Sequence, residues 1–586
     1  MRYSFMAAIF GSLAALAQAQ SGVHPTADTV YRHGYVYTVD ANDSVQQALA
    51  VKAGRILYVG SDAALKPFIG PRTKMLDLHG RMLMPGLVDG HQHPLPGGAA
   101  LLKCNLNYQQ LDVQQLKSKI QDCLDRTRAR EPDGWLEVVN WFQEGMVPAG
   151  AVTSRATLDD LKTARPVLVM SSFGHTVLAN SRALSLAGIS AKSADPLGGR
   201  VARTSSGEPS GILEDAAFEP LVKLIPAPTA EENLKSVNAA LGALREQGVT
   251  TFLDAAADAD DIAAFAKAQR DGSLTARAHF AVVIPPPQGV DPQKAVAAVK
   301  LLAQRFDQGE LVPEPKISVR NVKLFLDGVI SAPALTGAML EPYLNTPAKS
   351  RGPDVYFPAP VLAALLIEIA SAGLEPHMHA DGDRAVREGL DGIAALRRKF
   401  PERDIRAAIA HDEIVNPQDF PRYRELNVVT VLSFQWEKQA PDTIEGARAY
   451  LGPERFKYIE PAGFLSAAGA RIAFGSDWPV DPLDEWFALK VGVTRLNAPT
   501  ADHRYAGRLS EDKGLTRKEA LRAITFNASY VLHEDRWIGS LEAGKLADFI
   551  VLDRNYFDIP AQQIADIKVL QTVVGGRMVY QGEPSK

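Results

Sequence analysis

Short apolar runs separated by turns open and close this chain, and longer helical patterns fill the space between. Over residues 28–83, VYRHGYVYTVD, ALAVKAGRILYVG and TKMLDLHGRML read as strands, with Gly54 where a hairpin turns. The C-terminus repeats the style. LADFIVLDR precedes IKVLQTVVGGRMVYQG, in which Gly575-Gly576 supplies a two-residue turn. Either strand set alone has unpaired edges and little core. Pairing residues 20–84 with 536–586 in one small β-sandwich domain removes both defects.

Between the two ends, strand and helix patterns alternate, as in parallel α/β folds. Eight apolar runs read as buried strands: 86–91, 249–254, 278–283, 321–326, 375–379, 406–411, 428–433 and 471–477. Helices are predicted between most of them. One covers 230–247, with Thr229 and Glu232 as a capping box and Gly248 as its stop. Another covers 360–372. Eight such repeats over residues 85–535 predict a (β/α)8 TIM-like barrel. Residues 95–228 do not fit the repeat. They read as a long insertion after barrel strand 1, with its own strands WLEVVN and PVLVMSS.

The first 19 residues read as a cleaved signal peptide. Arg2 precedes an apolar stretch over 5–16, and Ala17-Gln18-Ala19 fits the small-x-small rule, with Gln20 beginning the mature chain. The stretch is too short to span a bilayer comfortably. A periplasmic or secreted protein is expected, with no membrane association after cleavage. In an oxidising compartment Cys104 and Cys123, both in the insertion, could pair. Composition changes the picture in two ways. A formal charge of −5 leaves no basic surplus for nucleic acid. Two cysteines exclude a Cys-rich zinc site, so metal chemistry would fall to the 12 histidines.

His91-Gln92-His93 ends the first barrel strand, and residues two apart on a strand share a face. The C-terminal strand ends are where barrel active sites form. Lys323 on strand four, His379 on strand five, His411 on strand six and Asp477 on strand eight repeat the pattern within apolar runs. A buried Lys or Asp without a partner is costly. One shared metal centre removes that cost at every position. Zinc suits the histidine-rich set, and manganese, cobalt or iron fit the same donors.

The segments PGLVDGHQHP, VKLFLDG, HADGDRAV, AHDE, FGSDWPV and IGSLEAGKLADFIVLDR resemble the amidohydrolase superfamily. The closer similarity is to its family 3 branch, which includes N-substituted formamide deformylases and exported members. It spans about residues 28–580. The resemblance implies that His91 and His93 hold the more buried metal and that His379 and His411 hold a second. It also implies that Lys323, carboxylated by carbon dioxide, bridges the two, and that Asp477 binds the first metal and shuttles the proton of the attacking water. One or two divalent ions per chain follow. Such ions bring bound water toward a pKa of about 7.

Other residues are weaker candidates. His377 shares the face of His379 and reads as a deeper residue that orients its neighbours, or as a further ligand or substrate contact. The resemblance places His175, in SSFGHTVLANSRAL, at the substrate pocket. Asn180 there is a helix cap or a contact. Asp383-Arg384 reads as an ion pair shaping the loop after strand five. Trp141 and Trp478 are candidate pocket walls. The expected activity is metal-dependent hydrolysis of a non-peptide C–N bond in a small amide, formamide, carbamate or N-acyl compound. Esterase, lactonase or phosphoester hydrolysis at the same site is the alternative, and a catalytically silent exported binding protein the third. A homodimer is compatible with all three.

Overall fold

Eight parallel strands stand side by side in chain order: β1 (Leu87–Gln92), β2 (Val249–Ala257), β3 (Arg277–Val283), β4 (Ile317–Phe325), β5 (Glu375–Ala380), β6 (Ala408–His411), β7 (Val429–Leu432) and β8 (Arg471–Phe474). They occupy the eight runs expected from the pattern. Their apolar character is continuous rather than alternating because both faces are buried, against helices outside and side chains inside. This computed structural model describes residues 25–583, apart from 130–131, 144, 149, 175, 197–198, 333 and 347–348. The expected signal peptide and His175 lie outside the described residues.

The sheet is nearly a closed barrel. Where β8 meets β1, the Asp477 N–H donates to the His91 carbonyl and the His93 N–H to the Trp478 carbonyl, both at 2.7 Å. Two glycines permit this approach. A Cβ on Gly475 would stand 2.4 Å from the His91 Cβ, and one on Gly90 2.8 Å from the Phe474 carbonyl. The helix Ala230–Gln247 begins with the expected reciprocal Thr229–Glu232 capping box and stops at Gly248, whose φ is +92°. Ala359–Ser371 fills the second helical pattern.

The two chain ends share one sheet. Phe549–Leu552 pairs antiparallel with Met82–Pro85, which joins N-terminal strands to C-terminal ones in a six-stranded sheet. A four-stranded sheet containing Thr29–Arg32 and Ala48–Lys52 packs on it. Strand alternation explains the arrangement. Leu83, Phe549 and Val551 point into the sandwich core, whereas Met82, Met84 and Ile550 point toward the barrel helices. A buried ion pair adds a polar lock, with Arg277 at the start of β3 meeting Asp548 at 2.6 and 3.0 Å.

After β1 the chain leaves the barrel for a six-stranded mixed sheet that includes Leu136–Trp141, Val167–Ser171 and Thr176–Ala179. Val167 and Val169 face one core and Leu168 the other. Cys104 and Cys123 are joined by a disulfide, with Cα atoms 5.8 Å apart, which ties an edge strand to the helix Val113–Thr127. No helix among the described residues is long and apolar enough to cross a membrane.

Candidate metal centre

The strand ends bring His91, His93, Lys323, His379, His411 and Asp477 to one mouth of the barrel. On β1, Asp89 and His91 alternate with Val88, Gly90 and Gln92, and His93 follows directly as the N-cap of the helix Pro94–Leu102. At two other ends the backbone itself is unusual. His411, Asp412 and Asp477 have φ of +79°, +50° and +53°, in the left-handed region that L-residues seldom occupy. Such outliers persist only where surrounding structure enforces them, and they gather at functional sites.

The donors form two clusters. In the first, Asp477 Oδ1 lies 3.0 Å from His93 Nε2 and 3.4 Å from His91 Nε2. In the second, His379, Asp381 and His411 present ligand atoms within 4.8 Å of one another. The clusters adjoin, since the His91 and His411 ring centres are 4.7 Å apart and those of His379 and His411 4.6 Å. Lys323 Nζ stands 3.1 Å from His91 Nε2.

Electrostatics favours the ligating, neutral form of the imidazoles. Burial and the adjacent Lys323 charge hold His91 well below the usual histidine range, and burial and His379 do the same for His411. Both imidazoles are therefore neutral. Burial pushes the Lys323 amine down to about 8, against the opposite pull of Asp477, Asp381 and Asp254. Burial and Glu413 push Asp381 upward. His411 Nδ1, Asp381 Oδ1 and Asp477 Oδ1 are buried and make no hydrogen bond among the described residues. Three orphaned donors facing one space suit divalent cations, which take imidazole and carboxylate together.

His377 lies beneath this set, fully buried, with Nε2 2.8 Å from His91 Nδ1. It fixes the ring of His91 and turns His91 Nε2 toward Asp477 and Lys323. It is not among the residues that line the cavity, which agrees with the deeper, orienting place and not with the alternative of a substrate contact. The expectation for Trp141 and Trp478 is corrected. Trp141 is buried in the insertion core, with its indole N–H on Met146 Sδ. Trp478 packs over Gly97, where a Cβ would lie 2.6 Å from its ring. Asn180 is a helix cap, accepting from the Ala183 N–H at 2.9 Å. Asp383 and Arg384 do not pair with each other. Asp383 accepts from the Leu340 N–H, and Arg384 binds Asp354 and Glu388.

Above the donors is a cavity of about 180 Å³. Its walls include Phe325, Ile330, Trp436 and Ile459, together with Asp381, Glu413, Asp442 and Glu460. None of these acids was singled out from the sequence. Asp381 and Glu413 each follow a strand-end histidine by two positions, the same spacing that marks His91 and His93, so a local signal existed. Asp442, which opens the helix Asp442–Arg448, and Glu460 both lie between β7 and β8 and carried none.

A barrel with paired histidine and carboxylate clusters at its C-terminal mouth is the architecture of a metal-dependent hydrolase. The chain belongs to the amidohydrolase family, whose model matches residues 74–580. Similar proteins cover most of its length. Protein LONG AFTER FAR-RED 3 of Arabidopsis thaliana is 28% identical over 94% of this chain and 92% of its own. The N-substituted formamide deformylase of Arthrobacter pascens is 25% identical over 94% of this chain and 98% of its own. The crystal structure of an uncharacterized metal-dependent hydrolase from Pyrococcus horikoshii OT3 shares the fold. Its TM-score is 0.70 at 21% identity, covering 91% of this chain and 99% of that one.

Proposed function

We propose that this protein hydrolyses a non-peptide C–N bond in a small amide, formamide, carbamate or N-acyl compound. The observation that carries this is the convergence of two donor clusters and a buried lysine on one cavity, with three donor atoms left without hydrogen bonds. Similarity to a formamide deformylase over nearly the whole chain supports the bond type. His91, His93 and Asp477 would hold one divalent ion, and His379 and His411, with Asp381 beside them, a second. Zinc is the proposed metal, since neutral imidazoles dominate the set. When bound, such ions supply Lewis acidity, acidifying water and polarising the substrate carbonyl.

The chain's own groups do the rest. Asp477 Oδ1 has no hydrogen bond and faces the cavity, so it accepts the proton of the attacking water and delivers it to the leaving nitrogen. Burial lowers Lys323 to about 8 and so raises its share of free amine, the form that adds carbon dioxide. The resulting carbamate would be an anion placed beside His91. His377 holds the His91 ring, and the apolar walls exclude bulk water. We further propose export to the periplasm or medium, which the disulfide in the insertion favours.

The test is metal analysis of purified protein beside a hydrolysis panel of N-formyl amines, N-acyl amino acids, aryl carbamates and lactones. Bound divalent metal, loss of turnover on chelation and preference for C–N substrates are expected. Asp477→Asn should lower kcat by about 10²–10⁴-fold while most metal stays bound. Activity that survives full chelation, or substantial turnover in Asp477→Asn, would remove the mechanism.

A further inference from the structure

The catalytic cavity is strongly acidic on one side, and this acidity exceeds what metal binding requires. Among the described residues, five carboxylates line it, from Asp381, Glu413, Asp442, Glu460 and Asp477, against a single lysine, Lys323. With all five ionised, two divalent ions and a carboxylated Lys323 would still leave the lining anionic.

Glu413 and Glu460 are held side by side. The Glu460 N–H donates to the Glu413 carbonyl at 2.7 Å, and the adjacent residues Ile414 and Ile459 form an antiparallel bridge. Glu460 takes the left-handed conformation, φ +49°, at this junction. It is only 3% exposed, yet among the described residues its carboxylate makes no hydrogen bond and no ion pair. Both glutamates face the cavity. A cation in the protein could have neutralised them, but the nearest guanidinium is committed elsewhere. Arg495 pairs with Glu437 at 3.0 Å and donates to the backbone carbonyls of Ile459 and Glu460, not to the Glu460 side chain. A carboxylate buried without a partner is costly, and either protonation or a cationic ligand relieves that cost. Ile330, Ala447 and Ile459 border the same space, and the Trp436 ring stacks on His411 at 5.4 Å. Carboxylates beside aliphatic and aromatic walls match an alkyl or aryl ammonium better than a hydrated metal ion.

Resting on the hydrolytic assignment above, we infer that the substrate carries an organic ammonium group, with the scissile bond at the donor clusters and the cation held by Glu413 and Glu460. Amides of diamines and of other amino-bearing amines fit this class. N-acyl compounds with a free carboxylate on that side do not, because like charges would meet in a dry pocket.

The test is equilibrium binding to the metal-loaded protein by calorimetry at pH 7, with n-pentylammonium and its neutral analogue 1-pentanol as probes. The ammonium is expected to bind at least about tenfold tighter than the alcohol, with an affinity that falls as salt rises. Glu413→Gln/Glu460→Gln should erase most of that difference and leave 1-pentanol and metal content unchanged. Equal binding of the two probes to the unaltered protein overturns the inference and needs no variant to fold. So does an unchanged preference in the double variant. Metal loss in the double variant would instead make the glutamates ligands, which also overturns it. Binding is read without turnover, so the two proposals fail separately. A protein inert toward every amide yet selective for the ammonium loses the catalytic assignment alone. A hydrolase without that selectivity loses only this inference.

Discussion

Replacing Asp548 with alanine strips the buried Arg277 of its carboxylate. The pair joins the terminal sheet to the base of the barrel. Arg277 Nε and Nη2 reach Asp548 at 2.6 and 3.0 Å, with side chains 0% and 2% exposed. Removing one member of such a pair costs about 3–5 kcal/mol, because the other charge stays buried. Two further terms adjust that figure. The Gly575 N–H loses its acceptor, Asp548 Oδ1 at 2.7 Å. Arg277 keeps the carbonyls of Val312 and Pro313, at 2.6 and 3.2 Å, which hold the loss toward the lower end. The expected destabilisation is about 3–4 kcal/mol. Asp548→Asn retains an acceptor for Gly575 and should cost less. Arg277→Met/Asp548→Asn removes the stranded charge and should be more stable than Asp548→Ala. Urea unfolding followed by tryptophan fluorescence measures all three, as a midpoint shift at constant slope. Turnover per folded molecule should not change, since the pair lies at the strand starts and the site at the strand ends. A loss below about 1 kcal/mol in Asp548→Ala, or a double variant no more stable than Asp548→Ala, would show that the pair is not the lock described.

Gly475→Ala should cost about 1–3 kcal/mol through overpacking and lower metal occupancy. Its Cβ would lie 2.4 Å from the His91 Cβ and 2.7 Å from its backbone nitrogen, so full metal content in this variant counts against the seam as drawn. Cys104→Ser/Cys123→Ser opens a loop spanning 19 residues and should lower insertion stability by about 3 kcal/mol, read as faster limited proteolysis within residues 104–228. Unchanged cleavage would refute it. Burial, with Arg320 next, holds His279 down to about 3. The folded chain therefore refuses a proton that the unfolded chain takes near the ordinary histidine value, and stability falls as pH drops through 6 toward 3. His279→Leu should flatten that slope by up to about 1.4 kcal/mol per pH unit in acid unfolding curves. An unchanged slope would exclude His279 as the source.

Much of the donor set was legible because each member announces itself locally. His91, Lys323, His379, His411 and Asp477 are titratable residues at or near the ends of largely apolar runs, and a run buried on both faces is continuous enough to recognise. Asp381 and Glu413 were equally local, two positions beyond His379 and His411, but adjoining acids and loop residues masked the spacing. The aromatic expectations failed for a different reason. Trp141 and Trp478 are large enough to wall a pocket or fill a core, and only neighbours such as Met146 and Gly97 decide which. Asp383 and Arg384 are adjacent in the chain, yet their side chains diverge toward Leu340 on one side and Asp354 and Glu388 on the other.

The sequence by itself determined the barrel, the pairing of the two chain ends and the chemical types of the donors, because these follow from periodicity and from the cost of burying polar groups. Only the tertiary structure decided how those groups share space. It closed β8 against β1 through Gly475, seated His377 beneath His91, and turned Glu460 toward Glu413 from a loop some fifty residues away. Such contacts depend on distances between segments far apart in the chain, and no local pattern encodes those distances.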